Sequence, residues 1–123
     1  MSTTTKILAV DDANVALHKY KLILSHYSVV TASDGLEGLA ELGRDPEIDL
    51  ILLDINMPVM NGLEFLSRVQ KEPAYQGIPV IIISTEGKEE DTIRGLKLGA
   101  KGYVKKPFQA SELHGLIEKI TSG

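Results

Sequence analysis

Two runs in this chain, Leu50-Ile51-Leu52-Leu53 and Val80-Ile81-Ile82-Ile83, are apolar at every position. A strand with one wet face alternates apolar and polar residues, so runs of this kind predict parallel strands covered by helices on both sides. The predicted strands are Lys6–Val10, Val29–Ala32, Leu50–Asp54, Pro79–Ser84 and Gly102–Lys105, with helical patterns between them. Ala16, Tyr20, Ile23, Leu24 and Tyr27 recur at helical spacing between Asn14 and Tyr27, and Leu113, Leu116, Ile117 and Ile120 do so near the end. Asp34-Gly35 opens the second helix with a carboxylate cap, and Asn61-Gly62 opens the third after Pro58. The Glu-rich stretch Glu86 to Asp91 opens the fourth, where the helix dipole favours negative charge. Right-handed crossovers then give an α/β fold with a doubly wound, five-stranded parallel sheet and helices on both faces.

With 123 residues, 43% of them apolar, the chain is long enough for one cored domain and too short for two. We expect a disordered tail at 1–5 and one domain over 6–121. No apolar run approaches the roughly 20 residues of a membrane span, and residues 1–6 lack the apolar stretch of a signal peptide. Zero cysteines exclude disulfides and thiolate metal sites and fit a reducing compartment, so a cytoplasmic location is expected. A net charge of −4 argues against a nucleic-acid surface.

Polar residues follow the apolar runs where open α/β sheets place their ligand sites, just past the C-terminal ends of the strands. They are Asp11 and Asp12 after the first run, Asp54 after the third, Ser84 after the fourth and Lys106 after the fifth. For the Asp11-Asp12 turn to meet Asp54, the first and third strands must be neighbours, which implies the strand order 2-1-3-4-5. Gathered carboxylates repel one another unless a cation is shared, and oxygen donors of this kind suit Mg2+. Asp12 and Asp54 are the expected direct ligands, with Asp11 acting through a metal-bound water and the Asn56 backbone carbonyl as a third protein ligand. Pro58 keeps helix from starting there. Asp is also a common helix cap, and Asp11-Asp12 alone would read that way. A second carboxylate is redundant for a cap, however, and Asp54 recurs at an equivalent strand end.

Asp54 is the expected nucleophile, because a carboxylate can attack a phosphoryl group in line once cations neutralise its oxygens. Lys106 supplies a fixed charge, with Pro107 just beyond it a candidate for a cis peptide. Ser84 offers a hydroxyl to a phosphoryl oxygen, although alone it would pass for a cap of the fourth helix.

With those residues in place, the chain resembles a bacterial response-regulator receiver domain of two-component signalling, similar to the single-domain chemotaxis-type regulators. The flavodoxin-like strand order 2-1-3-4-5 is one that chemotaxis receivers share. The resemblance rests on the spacing Asp54, Pro58, Gly62, on Gly99-Ala100-Lys101-Gly102-Tyr103, and on Lys106-Pro107-Phe108. It implies that Asp54 is the phosphoacceptor, that Asp11, Asp12 and the Asn56 carbonyl organise Mg2+, and that Ser84 and Lys106 bind the phosphoryl group. It also implies a switch in which Ser84 moves toward the phosphate and Tyr103 swings inward. That motion would alter a target-binding face built from the fourth helix, fifth strand and fifth helix. The implied donor is a histidine kinase or histidine phosphotransfer protein. Such a domain is regulatory rather than an enzyme, supporting its own phosphorylation and slow autodephosphorylation.

Two features depart from that pattern. The residue after the switch hydroxyl is usually Ala or Gly in the family, whereas Thr85 stands here, and its bulk is expected to narrow access to Asp54. The target face is also basic, with Lys97, Lys101 and Lys105 beside Tyr103 and with Arg94, Lys97 and His114 expected on outward helix faces. An acidic partner segment would suit it. A phosphohydrolase of the haloacid dehalogenase type would carry its nucleophile after the first strand and need more chain. A flavodoxin would need hydroxyls and amides after the first strand rather than two carboxylates. A receiver fold kept only as a scaffold would have lost Asp54, an acidic-pair residue or Lys106. A relay that passes phosphate to a second histidine protein, or a receiver belonging to a longer regulator, remains the runner-up.

Overall fold

Five parallel strands form one sheet: β1 (Lys6–Val10), β2 (Ser28–Ala32), β3 (Leu50–Asp54), β4 (Val80–Ser84) and β5 (Gly102–Lys105), in the order β2-β1-β3-β4-β5. Helices α1 (Asn14–Ile23), α2 (Gly35–Arg44), α3 (Gly62–Lys71), α4 (Glu89–Leu98) and α5 (Ala110–Ser122) alternate with them. This is a computed structural model, and it describes residues 5–57 and 60–122. Residues 1–4 of the expected tail and Pro58 of the Asp54-Pro58-Gly62 spacing lie outside the described residues.

The period of two along each strand sorts the core into two layers. On one face Ile7, Ala9, Leu50, Leu52, Ile81 and Ile83 meet Leu17 and Tyr20 of α1 and Leu113 and Ile117 of α5. On the other, Leu8, Val10, Ile51, Leu53 and Ile82 meet Leu42 of α2 and Phe65, Leu66 and Val69 of α3. The continuous apolar runs are thus explained by burial from both sides. Every residue of β3 and β4 is buried, and each such aliphatic side chain contributes about 1.5–3 kcal/mol when removed from water.

Two predicted caps form as expected: the Asp34 carboxylate accepts the Glu37 amide at 2.8 Å and Asn61 accepts the Glu64 amide at 2.9 Å. Four boundaries differ. β2 starts at Ser28 rather than Val29, with Ser28 paired to Lys6 and its amide bonding the Thr5 carbonyl at 3.0 Å. The stretch read as helix to Tyr27 ends at Ile23: the capping Leu24 amide makes the last helical bond, to Tyr20, and the Tyr27 amide then turns back to Leu24. β4 starts at Val80 rather than Pro79. Proline has no amide to give, but its carbonyl still accepts from Ile51 at 3.0 Å. α4 begins at Glu89, so Glu86 sits in the preceding turn and only Glu89, Glu90 and Asp91 meet the positive end of the helix. Gly99 closes α4 at φ 122°, a backbone region that a side chain would strain.

Candidate functional site

Strand pairing brings the predicted residues together. Val10 pairs with Leu53, so the next residues, Asp11 and Asp54, emerge side by side from adjacent strand ends. Ser84 pairs with Lys105, and the Ser84 carbonyl accepts the Lys106 amide at 2.7 Å, which sets Lys106 just past β5 on the same rim. Gly62 is needed beneath this rim. A Cβ there would lie 2.6 Å from the Ile55 Cα and 2.8 Å from the Asp54 carbonyl oxygen, so only glycine lets α3 start against the end of β3.

One carboxylate oxygen from each of Asp11, Asp12 and Asp54 lies within 4.8 Å of the others, a spacing that could hold a metal ion. Asp12 is exposed, whereas Asp11 and Asp54 are buried. Both Asp11 oxygens already have partners. Oδ1 accepts the Ala13 amide at 3.0 Å, while Oδ2 accepts the Tyr20 hydroxyl at 3.0 Å and the Lys106 ammonium at 3.1 Å. Asp54 Oδ1 accepts the Asn56 amide at 3.0 Å. Asp11 and Asp12 are not the cap of α1, because the N-cap position is Ala13 and no side chain caps it. Nor does Ser84 cap α4, whose N-cap is Lys88.

Burial pushes the Asp54 carboxyl up to about 7. The Asn56 amide pulls it down, the charge of Asp11 adds to the rise, and Lys106 opposes it. A buried carboxylate beside a second carboxylate is a group in need of more positive charge than Lys106 alone supplies. Donors that are all oxygen, partly solvent-facing and clustered this closely match a hard divalent cation such as Mg2+. With its oxygens occupied by protein donors, Asp11 is better suited to an outer role than Asp12 or Asp54.

Tyr20 is the site residue that the sequence pattern conceals. Its position on the inward stripe of α1 marks it as core, and it is core, but its hydroxyl reaches the acidic pocket. The available signal was a polar tip on a mostly aliphatic stripe, one that Tyr27 shares.

The Lys106-Pro107 peptide is cis. An open cleft of about 530 Å³ lies beside it, walled by Val15, Tyr20, Thr85, Lys106 and Phe108, with the Lys19 ammonium 4.9 Å from the Phe108 ring centre. Thr85 therefore stands at the approach to the site. On the other side of Ser84, a cavity of about 310 Å³ is shared by Ser84, Thr92, Ile93, Leu96, Tyr103 and Lys105. Tyr103 faces outward and is 52% exposed.

The basic face differs from its expected form. His114 does not point outward beside Tyr103; its Nε2 is in hydrogen-bond contact with the Ile23 carbonyl at the end of α1, and its ring meets Tyr27 edge-on at 6.5 Å. Leu113 and Ile117 face the sheet, and the neighbouring position falls on the flank of α5 that meets α1. Lys105 pairs with Glu89 at 3.5 Å, and Arg94 with Asp91 at 3.7 Å. Lys101 lies just before β5, where its amide bonds the Val80 carbonyl.

Comparison with known proteins agrees with this geometry. The sequence profile of the response regulator receiver domain matches residues 7–118. A chemotaxis protein CheY homolog of Campylobacter jejuni is 34% identical over 118 residues, covering 94% of this chain and 91% of that protein. Response regulator PleD of Caulobacter vibrioides is 38% identical over 120 residues, covering 96% of this chain and 26% of that protein. The structure of chemotaxis protein CheY4 of Vibrio cholerae superposes with a TM-score of 0.88 at 34% identity, covering 96% of this chain and 99% of that one. The chain belongs to the response regulator receiver domain family of two-component signalling.

Proposed function

We propose that residues 6–121 act as a phosphorylation-activated switch whose acceptor is Asp54. The observation that carries this is the convergence of Asp11, Asp12 and Asp54 within 4.8 Å, with Lys106 bonded to Asp11 at 3.1 Å on the same rim. As a member of its family the chain is a regulatory domain of two-component signalling, and phosphohistidine on a kinase or phosphotransfer protein is the donor that suits it. Asp54 forms the new P–O bond as the P–N bond breaks, and the imidazole leaves with the bonding pair. The cleft beside Lys106 and Thr85 is the approach for that imidazole.

Asp12, Asp54 and the Asn56 carbonyl would hold Mg2+, with Asp11 behind them; when bound, the ion offsets the charge of the three carboxylates and of the incoming phosphoryl oxygens. Lys106 shifts its ammonium from Asp11 to a phosphoryl oxygen, and Ser84 gives its hydroxyl to another. Hydrolysis of the acyl phosphate at the same site would return the chain slowly to rest. The cytoplasm is the setting this reading implies, as for the chemotaxis-type regulators.

Output follows from the cavity that Ser84 shares with Tyr103. Movement of Ser84 toward phosphate opens room into which Tyr103 can turn. That turn would remodel the α4-β5-α5 face, on which Ile93 and Leu96 are also exposed. The phosphate biases two arrangements of one face, and a partner can read it only by preferring one of them. Ser84→Ala tests this coupling. We expect Mg2+ affinity near wild type, while the phosphate-dependent change at Tyr103, followed by NMR in the phosphorylated protein, falls about tenfold in population of the active arrangement. A wild-type response in that variant would remove Ser84 from the switch.

A further inference from the structure

We propose that Tyr20 is a positioning residue of the phosphoryl site, whose hydroxyl keeps Asp11 Oδ2 bonded when Lys106 leaves it for the phosphoryl group. This inference rests on the role of Lys106 proposed above.

Asp11 Oδ2 is the shared acceptor. It takes the Tyr20 hydroxyl at 3.0 Å and the Lys106 ammonium at 3.1 Å, and the Asp11 side chain is 0% exposed. The two donors differ in their freedom to move. Lys106 is 28% exposed on its side chain and sits at the end of four methylenes, so its ammonium can swing to a new oxygen. Tyr20 is 2% exposed and its ring is packed in the layer containing Leu17, Leu24, Leu113 and Ile117. That packing holds the ring in place. A neutral phenol hydroxyl is a donor and a carboxylate oxygen an acceptor, so this contact needs no change of protonation.

Activation in a chain without this hydroxyl would leave a buried carboxylate oxygen without either of the side-chain donors it now has. An unsatisfied buried acceptor opposes whatever change creates it. Tyr20 therefore makes the transfer of Lys106 an exchange in which Asp11 Oδ2 keeps one donor throughout. In the resting protein the hydroxyl is one of two donors and its loss is partly covered by Lys106; in the activated protein it is the one that stays. The effect of Tyr20 is thus larger on activation than on folding.

The test is calorimetric titration of beryllofluoride, a phosphoryl mimic, into wild type, Tyr20→Phe, Lys106→Ala and the double variant, with saturating Mg2+ in every arm so that the metal contributes equally. Tyr20→Phe keeps the ring and the core filled. We expect it to weaken beryllofluoride binding about tenfold, with a much smaller loss of Mg2+ affinity in the absence of beryllofluoride. In the Lys106→Ala background no ammonium leaves Asp11, and adding Tyr20→Phe should bring no further loss. Unchanged beryllofluoride affinity in Tyr20→Phe would overturn the inference. So would an equal loss of Mg2+ and beryllofluoride affinity, or the same loss in the Lys106→Ala background, since both are marks of a packing role. Failure of the wild type to bind beryllofluoride would overturn the switch itself and this inference with it. Wild-type binding with an indifferent Tyr20→Phe overturns this inference alone.

Discussion

Asp54→Asn is expected to lose phosphoryl label from acetyl phosphate and Mg2+ by at least about a thousandfold, the scale seen when a covalent nucleophile is removed. Asp54 is buried at the end of β3, beside Asp11 and accepting the Asn56 amide, so one of its oxygens is fixed while the cluster orients the other. Asp12 is exposed at the mouth of the same cluster and cannot be oriented in this way. Borohydride reduction of the acyl phosphate followed by peptide mass spectrometry should find the modification on Asp54 and on neither Asp11 nor Asp12. Chelation of Mg2+, or Asp12→Ala, should lower labelling of the wild type in parallel, because the phosphoryl oxygens would then approach uncompensated carboxylates. Label retained in Asp54→Asn at the wild-type level would contradict the assignment of the acceptor.

The second large effect is on stability. In metal-free protein the Asp54 carboxyl lies at about 7 when folded, above its ordinary value of 3.8, chiefly through burial. A carboxyl raised on folding binds more protons in the native state than in the unfolded state between those two values. Stability therefore falls as pH rises from about 4 to about 7 and is then level with respect to this group. Asp54→Asn removes the ionisation, so at pH 8 the metal-free variant should be more stable than wild type by roughly 2–4 kcal/mol. Its melting temperature should be higher by about 5–15 °C. The two should converge toward pH 4. Mg2+ should reverse the order of benefit, adding about 2.7 kcal/mol to the wild type at a hundredfold excess over its dissociation constant and much less to the variant. Thermal melts from pH 4 to 8, with and without Mg2+, measure all of this. Parallel pH curves for wild type and Asp54→Asn would show that the burial of this carboxyl carries no cost.

The sheet was legible because its causes are local. Leu50–Leu53 and Val80–Ile83 have no polar position to turn toward water, and that alone makes them central strands. Asp34 and Asn61 announced helix starts because a cap bonds an amide three residues away. The meeting of Asp11, Asp54 and Lys106 followed from strand order, which chemistry at strand ends dictated. What remained hidden depends on how whole elements pack. The Tyr20 hydroxyl reaches Asp11 because of the depth at which α1 lies on the sheet, and helical periodicity reports a face but not a reach. His114 turns to Ile23 rather than toward Tyr103 because α5 lies beside α1, a neighbour relation that no pattern within α5 encodes. Glu86 falls outside α4 because Thr85 to Lys88 form a turn, closed by the Lys88 amide bonding the Thr85 carbonyl at 3.2 Å. A run of acidic residues does not mark which of them is the first in helix.

If the chain is a switch, phosphate at Asp54 must reset a distant face. A beryllofluoride titration with Mg2+, followed residue by residue through backbone amide NMR in wild type and Asp54→Asn, measures this without a partner. Amides of Tyr103 and of α4 are expected to shift together with those flanking Asp54, saturate at the same concentration, and stay still in Asp54→Asn. Shifts confined to the neighbours of Asp54, with Tyr103 and α4 unmoved at saturation, would contradict the switch, because a ligand that does not distinguish two arrangements of a face cannot change their populations.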